Sequence, residues 1–102
     1  MAGLTTTMTK LGVNQSISRA VPLSAAAGSN DFANLLHGLG LTPVKVNTEL
    51  RSLVSAPSLG APLLAVESYD KTTIIVRLTS TANQAQQVQF DVWADLVWSA
   101  VR

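Results

Sequence analysis

The chain of 102 residues contains no cysteine and a single histidine, His37. Without thiols it can form neither disulfides nor thiolate metal sites, and one histidine is too few for a two-histidine metal centre. A serine-histidine-aspartate triad would have to use His37, and no serine lies in the Gly-x-Ser-x-Gly pattern that exposes a nucleophile. We therefore expect no enzymatic activity, no cofactor and no metal site.

Charged residues are also scarce, since they make up 13% of the chain, about half the usual globular share. The net charge is +1, and the seven basic residues are scattered along the sequence. A nucleic-acid interface needs clustered positive charge and stacking aromatics, so we expect no nucleic-acid partner. No run of about 18 apolar residues is present, and threonines interrupt the first 14 residues, so neither a membrane span nor a secretory signal is expected.

What the chain does contain is alternation of apolar and polar residues. It extends over residues 43–54 and returns at residues 88–92, and a third β-rich run covers residues 72–79. Period-two alternation of this length predicts strands with one buried face. Several short strands at this spacing predict an all-β fold, either an antiparallel β-sandwich or a jelly-roll-like barrel.

Composition divides the chain into an extended N-terminal arm, residues 1–14, and a β-sandwich domain, residues 15–102. The arm is rich in threonine and has few apolar residues. We expect it to be mobile in the isolated protein and to order by adding to the sheet edge of a neighbouring subunit. A frayed terminus is the alternative. Just after the arm, Pro22 predicts an edge strand or a bulge.

One segment has two interpretations. Asn30 or Asp31 would cap a helix, and the apolar residues that follow share a helical face. We therefore expect one short helix near residues 31–37, with a strand as the alternative. Further along, a tight hairpin at Asp70-Lys71 is expected to join two strands.

The alternation also predicts the core. The residues expected to be largely buried are Val44, Val46, Leu50, Ile74, Val76, Val88, Phe90 and Val92. Ile75 should point to the opposite face of its strand.

A few polar residues are candidates for chemistry. Asp91 and Asp95 lie four apart and would serve as a glycosidase pair only by analogy, so a solvated face or an ion pair is the favoured interpretation. His37 precedes a glycine and is expected to close a helix end or to bond a backbone carbonyl.

Trp93 falls on the opposite face of its strand from the apolar series Val88, Phe90 and Val92. A large aromatic on a polar face is typical of an interface. The alternative is that a bulge rotates Trp93 inward, or that the sheet is buried on both sides.

The run of residues 37–44, the hairpin at residues 70–76 and the final strand at residues 88–92 together resemble small virion proteins of tailed bacteriophages. These include β-sandwich domains of capsid decoration proteins and of tail fibres. The resemblance implies a virion structural protein, and we expect a capsid decoration, or cement, protein that binds the capsid exterior and stabilises the particle. The alternative is a tail-fibre or lectin-like module that recognises a host surface glycan through Trp93, Gln89 and Asp91.

The high apolar content of so small a domain predicts association. We expect a homo-oligomer, most simply a trimer, with the major capsid protein as partner. The candidate interface residues are Leu4, Met8, Leu11, Trp93 and Trp98.

Overall fold

The computed structural model describes residues 3–54, 58 and 60–96, which form eight strands and no α-helix. In chain order the strands are β1 (Gly3–Thr7), β2 (Thr9–Lys10), β3 (Gln15–Ala25), β4 (Asn30–Leu36), β5 (Lys45–Leu53), β6 (Leu63–Tyr69), β7 (Thr73–Thr79) and β8 (Gln86–Asp95). The predicted all-β fold class is confirmed.

The strands form two four-stranded sheets that pack face to face. One has the order β1-β4-β7-β6 and is called here the β7 sheet; the other has the order β2-β3-β8-β5 and is called the β8 sheet. Neighbouring strands are antiparallel except for β1 and β4, which run parallel. The fold is therefore a β-sandwich, as the alternation predicts.

Side chains that point between the two sheets form a single core. In β7 and β8 every second residue is buried, because successive side chains of a strand point to opposite faces. Five predicted core residues are fully or almost fully buried: Ile74, Val76, Val88, Phe90 and Val92. Ile75 points to the outer face, so that prediction is also confirmed.

The core prediction is wrong for Val44, which is 37% exposed. This residue precedes β5, and its backbone N–H continues the ladder by donating to the Asp95 carbonyl over 2.8 Å. Val46 and Leu50 are only partly buried. Their strand lies at the edge of the β8 sheet, where a side chain is packed from one flank only.

The helix expected near residues 31–37 is wrong, and the strand alternative is confirmed. Asn30–Leu36 pairs with β7 over its whole length and with β1 along most of it. Its side chains alternate between buried and partly exposed positions, with Ala33 and Leu35 in the core. Two neighbouring strands therefore outweigh the local helical spacing and the cap residues.

The predicted arm contributes a strand to each sheet. Gly3–Thr7 pairs with β4 in the β7 sheet, and Thr9–Lys10 pairs with β3 in the β8 sheet. Met8 lies between them, only 4% exposed, and its N–H donates to the Leu36 carbonyl over 2.9 Å. Backbone pairing thus holds a segment that has few apolar side chains. Ordering of the arm against a neighbouring subunit stays a prediction.

The bulge predicted from Pro22 is present in β3. The register with β8 shifts between Ser18 and Val21. Because β2 pairs only with Ser16 and Ile17, Pro22 lies beyond the pairing that the described β2 provides. A proline, which has no N–H to donate, is tolerated at such a position.

His37 joins three parts of the sandwich. The N–H of Leu39 donates to His37 Nδ1 over 3.1 Å, so the proton lies on Nε2, which donates to the Asp70 carbonyl over 2.8 Å. The Ser16 hydroxyl on β3 donates to the His37 carbonyl over 2.5 Å. The histidine is completely buried. The prediction that it bonds a backbone carbonyl is confirmed.

The two phenylalanines test the assignment of the core. Phe90 is fully buried at the centre of the core, whereas Phe32 lies half-buried on the outer face of the β7 sheet. We predict that Phe90→Ala lowers the free energy of unfolding by about 3–5 kcal/mol. Phe32→Ala should cost clearly less. Urea denaturation of both variants measures the difference, and equal losses would contradict the assignment of faces.

The hairpin expected at Asp70-Lys71 is confirmed, and Asp70 holds it. Its carboxylate accepts the N–H groups of Thr73 and Thr72, each over 2.8 Å. These two bonds, with that from Thr73 the larger cause, lower the pKa of Asp70 from its ordinary value of 3.8. The ionised form is therefore favoured by folding.

This lowered pKa predicts a pH dependence of stability. A carboxyl whose pKa is depressed by folding contributes stability above its unfolded pKa, and that contribution is lost as the pH falls through the folded value. Asp70→Asn should therefore be less stable than the wild type above pH 3.8. The difference should shrink as the pH falls below that value. Thermal unfolding of both proteins across this range measures it, and a difference independent of pH would refute the role of the charge.

Candidate functional site

The described residues contain no group of three or more histidine, aspartate or glutamate side chains placed to hold a metal ion. Nor does any helix in this part of the chain have the length and apolarity needed to cross a membrane. Both ring nitrogens of His37 are bonded to backbone groups, and Ser16 donates to the His37 carbonyl rather than to the ring. A few other polar side chains, Gln86 and Asp31 among them, are buried, and the rest of those described lie on the surface.

The outer face of the β8 sheet carries mostly polar side chains along its central strand, β8. β8 contributes Gln87, Gln89, Asp91, Trp93 and Asp95, and their register partners on β3 and β5 complete the surface. Partners directly opposite each other in an antiparallel pair point to the same face. This surface is called the β8 outer face below.

Trp93 lies in the middle of a row of three residues that runs across the three strands of this face. Its register partners are Ile17 on β3 and Asn47 on β5. Ile17 is 7% exposed although it does not belong to the core between the sheets. Trp93 remains half-buried, and Asn47 is exposed. An aromatic ring with an exposed amide beside it therefore faces outward.

Trp93 is not rotated inward, because the inward alternation of β8 continues through Val92 and Ala94 on either side of it. The bulges of this sheet lie in the two flanking strands instead. The interpretation of Trp93 as an outward-facing aromatic is therefore the one that the register supports.

Asp91 lies between two bulges. In β3 the register shift leaves two residues, Arg19 and Ala20, opposite it, and in β5 a second shift places Arg51 as the extra residue. The carboxylate accepts the Ala20 N–H over 2.9 Å and pairs with the Arg51 guanidinium over 3.3 Å. One buried side chain thus satisfies groups from both flanking strands.

These contacts give the middle of the face its charges. The Asp91 carboxylate is mostly buried, whereas the side chain of Arg51 is 48% exposed. Glu49 is the register partner of Asp91 and is also exposed. Arg51 and Glu49 therefore offer charge to solvent, while Asp91 holds Arg51 in place.

Asp95 is also buried, at 2% exposure, and its Oδ1 accepts a hydrogen bond from Gln15 over 2.9 Å. The ion pair, one of the two favoured interpretations, is correct for Asp91. The other, a solvated face, is wrong for both aspartates, because both are buried. Each aspartate accepts a hydrogen bond from β3, which no pattern within β8 reveals.

At the other end of the β8 outer face lies a depression of about 300 Å³. Pro22 and Ser24 form one wall and Val54 the other, with Gln87 and Gln89 between them. Val54 is 56% exposed, and its N–H donates to the Gln87 carbonyl over 2.9 Å. The Ser52 hydroxyl donates to the Gln89 amide oxygen over 3.3 Å. The lining contains amides, a hydroxyl and apolar groups but no charged side chain.

The four candidate interface residues that the structure describes do not form one surface. Leu4 packs partly against the core and Met8 is buried in it, whereas Leu11 is half-exposed in the turn before β3. Only Trp93 lies on the β8 outer face, and Trp98 lies outside the described residues. The apolar residues of the arm thus serve mainly the sandwich itself.

Three residues of this face are not predicted as site residues by the sequence. Alternation over residues 43–54 places Asn47, Glu49 and Arg51 on the polar side of a strand, but it does not place them beside Trp93 and Asp91. Alternation identifies the face of β5 to which they belong. Which strand lies next to β5 depends on the sheet order, and a single sequence does not carry it.

Comparison with known proteins shows two structural neighbours. The tailspike protein gp49 from Pseudomonas phage LKA1 matches 81% of this chain with a TM-score of 0.57 and 10% identity. The tailspike gp61 from Pseudomonas phage phi297 matches 82% with a TM-score of 0.52 and 14% identity. No known family model matches the sequence, and no curated protein matches it.

At these identities the likeness is one of fold. The chain spans only 15% and 16% of the two tailspike proteins. A β-sandwich of this kind thus occurs as a part of larger phage tail proteins. The expected resemblance to β-sandwich domains of tailed phages is supported on the tail side, and neither neighbour is a capsid decoration protein.

The two bulges beside Asp91 predict an unequal effect of breaking its contacts. Asp91→Ala leaves the Ala20 N–H without its partner, and Ala20 has a φ of 53° that this bond helps to hold. We expect a loss of about 1–3 kcal/mol in the free energy of unfolding. Arg51→Ala removes only a half-exposed ion pair and should cost less than about 1 kcal/mol. Chemical denaturation distinguishes them, and an equal cost would mean that the ion pair, not the bulge, is what Asp91 supports.

Proposed function

We propose that this chain is a β-sandwich module of a phage tail that recognises a host surface glycan through the β8 outer face. The observation that carries the proposal is the half-buried Trp93 beside the exposed amide of Asn47, in a sheet that also presents Arg51, Glu49 and Gln89. Both structural neighbours are tailspike proteins, and this supports a tail module over the capsid decoration expected from the sequence.

The chemistry of the face suits a carbohydrate. An indole offers a flat apolar surface with a polar edge, which matches a sugar ring with apolar and hydroxylated sides. Sugar hydroxyls both donate and accept hydrogen bonds, and the amide of Asn47 can do the same. Arg51 is held by Asp91, so its guanidinium is positioned before a ligand arrives.

We propose binding without hydrolysis. A glycosidase needs two carboxyl groups about 5–9.5 Å apart. Asp91 and Asp95 are four residues apart on one strand, or roughly 13 Å. Both are also buried and bonded to neighbouring strands. Glu49, the register partner of Asp91, is closer, but the Asp91 carboxylate that it would need is mostly buried and paired with Arg51. Release of reducing ends from a polysaccharide that binds the protein would contradict this part of the proposal.

The homotrimer and the contact with the major capsid protein stay predictions. Three exposed apolar side chains, Leu11, Val13 and Val44, lie toward one end of the β8 sheet. The Leu11 N–H donates to the Gln15 carbonyl and the Val44 N–H to the Asp95 carbonyl, and Gln15 and Asp95 are register partners. We propose this end as the surface on which subunits associate.

Calorimetric titration with purified bacterial polysaccharides tests the proposal, starting with those of Pseudomonas, the host named for both structural neighbours. Trp93→Ala should weaken binding at least about tenfold, the effect of removing an aromatic hot spot. Trp93→Phe should retain part of the affinity. Tyr69→Ala, which truncates an exposed aromatic on the other sheet, should leave it unchanged.

Two outcomes would contradict the proposal. Equal weakening by Trp93→Ala and Tyr69→Ala would remove the β8 outer face as the site. Absence of binding to every polysaccharide, together with incorporation into capsids at the stoichiometry of the capsid lattice, would support capsid decoration instead.

A further inference from the structure

The β8 outer face has two separate features that could hold a ligand. One is the row of Trp93, and the other is the depression between Pro22 and Val54. Both lie along β8, since Gln87 and Gln89 line the depression and Trp93 follows on the same face of the same strand. The two features are therefore connected by one continuous strand surface.

We infer that the ligand is an extended oligosaccharide that lies along β8, with one sugar unit on Trp93 and another, uncharged unit in the depression. This inference rests on the proposed function, because it extends the site around Trp93. It adds a second subsite and defines the ligand as a chain of several sugar units rather than a single terminal sugar.

The distance between the two subsites requires a ligand longer than one sugar unit. From Trp93 to Gln89 and Gln87 the strand advances four to six residues, or roughly 13–20 Å. A single sugar ring does not cover this span, whereas a short linear chain does. β8 itself is continuous over this length, while β3 and β5 each shift register once between the two subsites.

The lining of the depression suits an uncharged sugar unit. Its walls are the apolar side chains of Pro22 and Val54, and its polar groups are the amides of Gln87 and Gln89 and the hydroxyl of Ser24. No charged side chain lines it. An uncharged ring with hydroxyl groups matches this lining, since it would bury an apolar face without leaving a charge unpaired.

The surface between the subsites is polar and partly held in place. Arg51 has one nitrogen, Nη1, within reach of Asp91 and is otherwise half-exposed. A guanidinium carries five N–H donors, so donors remain for the hydroxyls of a chain that passes over it. Arg51 can therefore donate hydrogen bonds to the part of the chain that lies between the two subsites.

Ser24→Phe provides a test, because Ser24 is exposed on β3 and a larger side chain there would fill the depression. Ser24→Thr is the matched control, since it keeps the hydroxyl and adds one methyl group. The probes are fragments of a polysaccharide that binds the wild-type protein in the calorimetric titration. They are prepared by partial acid hydrolysis and separated by length. Thermal unfolding of all variants verifies that they fold like the wild type.

Three results are expected. Wild-type affinity should rise about tenfold or more with fragment length and then level off. Ser24→Phe should abolish this gain but leave the affinity for the shortest fragments unchanged. Trp93→Ala should weaken binding at every length.

The inference fails if affinity does not depend on length, or if Ser24→Phe and Ser24→Thr bind long fragments as the wild type does. Either result leaves the site at Trp93, and with it the proposed function, intact. Binding of no fragment and of no intact polysaccharide would instead overturn the proposed function and this inference together.

Discussion

The burial of Asp91 and Asp95 on the outer face of the central strand β8 is the constraint on which the rest of the structure depends. The inward side chains of β8, Phe90 and Val92 among them, fill the core, while these two aspartates on the opposite face are also buried. A buried carboxylate must be bonded to be tolerated. Asp91 meets this requirement with the Ala20 N–H at the bulge of β3 and with Arg51, the extra residue at the bulge of β5.

The bulges in turn shape the candidate site. They divide the β8 outer face into the row of Trp93 at one end and the depression beside Gln87 at the other, with Arg51 between them. Bulges commonly redirect side chains next to functional sites. The side chain that stabilises the sheet and the side chains proposed to bind the ligand are therefore parts of one arrangement, in which Asp91 supports the position of Arg51.

Period-two alternation predicts β5, β7 and β8, five residues of the core and the face of β8 on which Trp93 lies. It failed at β4, where Phe32, Leu35 and Leu36 have helical spacing by coincidence and strand pairing decides the conformation. It also underestimated the arm, because the bonds of Gly3–Thr7 to β4 are made by backbone groups. The burial of Asp91 and the neighbours of Trp93 depend on sheet order and register, which are tertiary properties.

We propose the β8 outer face as the functional surface of the protein. Amide and indole NMR spectra of the labelled protein, recorded with and without fragments of a bacterial surface polysaccharide, test it most directly. The account predicts shifts of the Trp93 indole and of the amides of Asn47 and Gln89, with Phe32 and Ile75 on the opposite sheet unchanged. Shifts confined to the outer face of the β7 sheet, or no shifts with any polysaccharide, would contradict it.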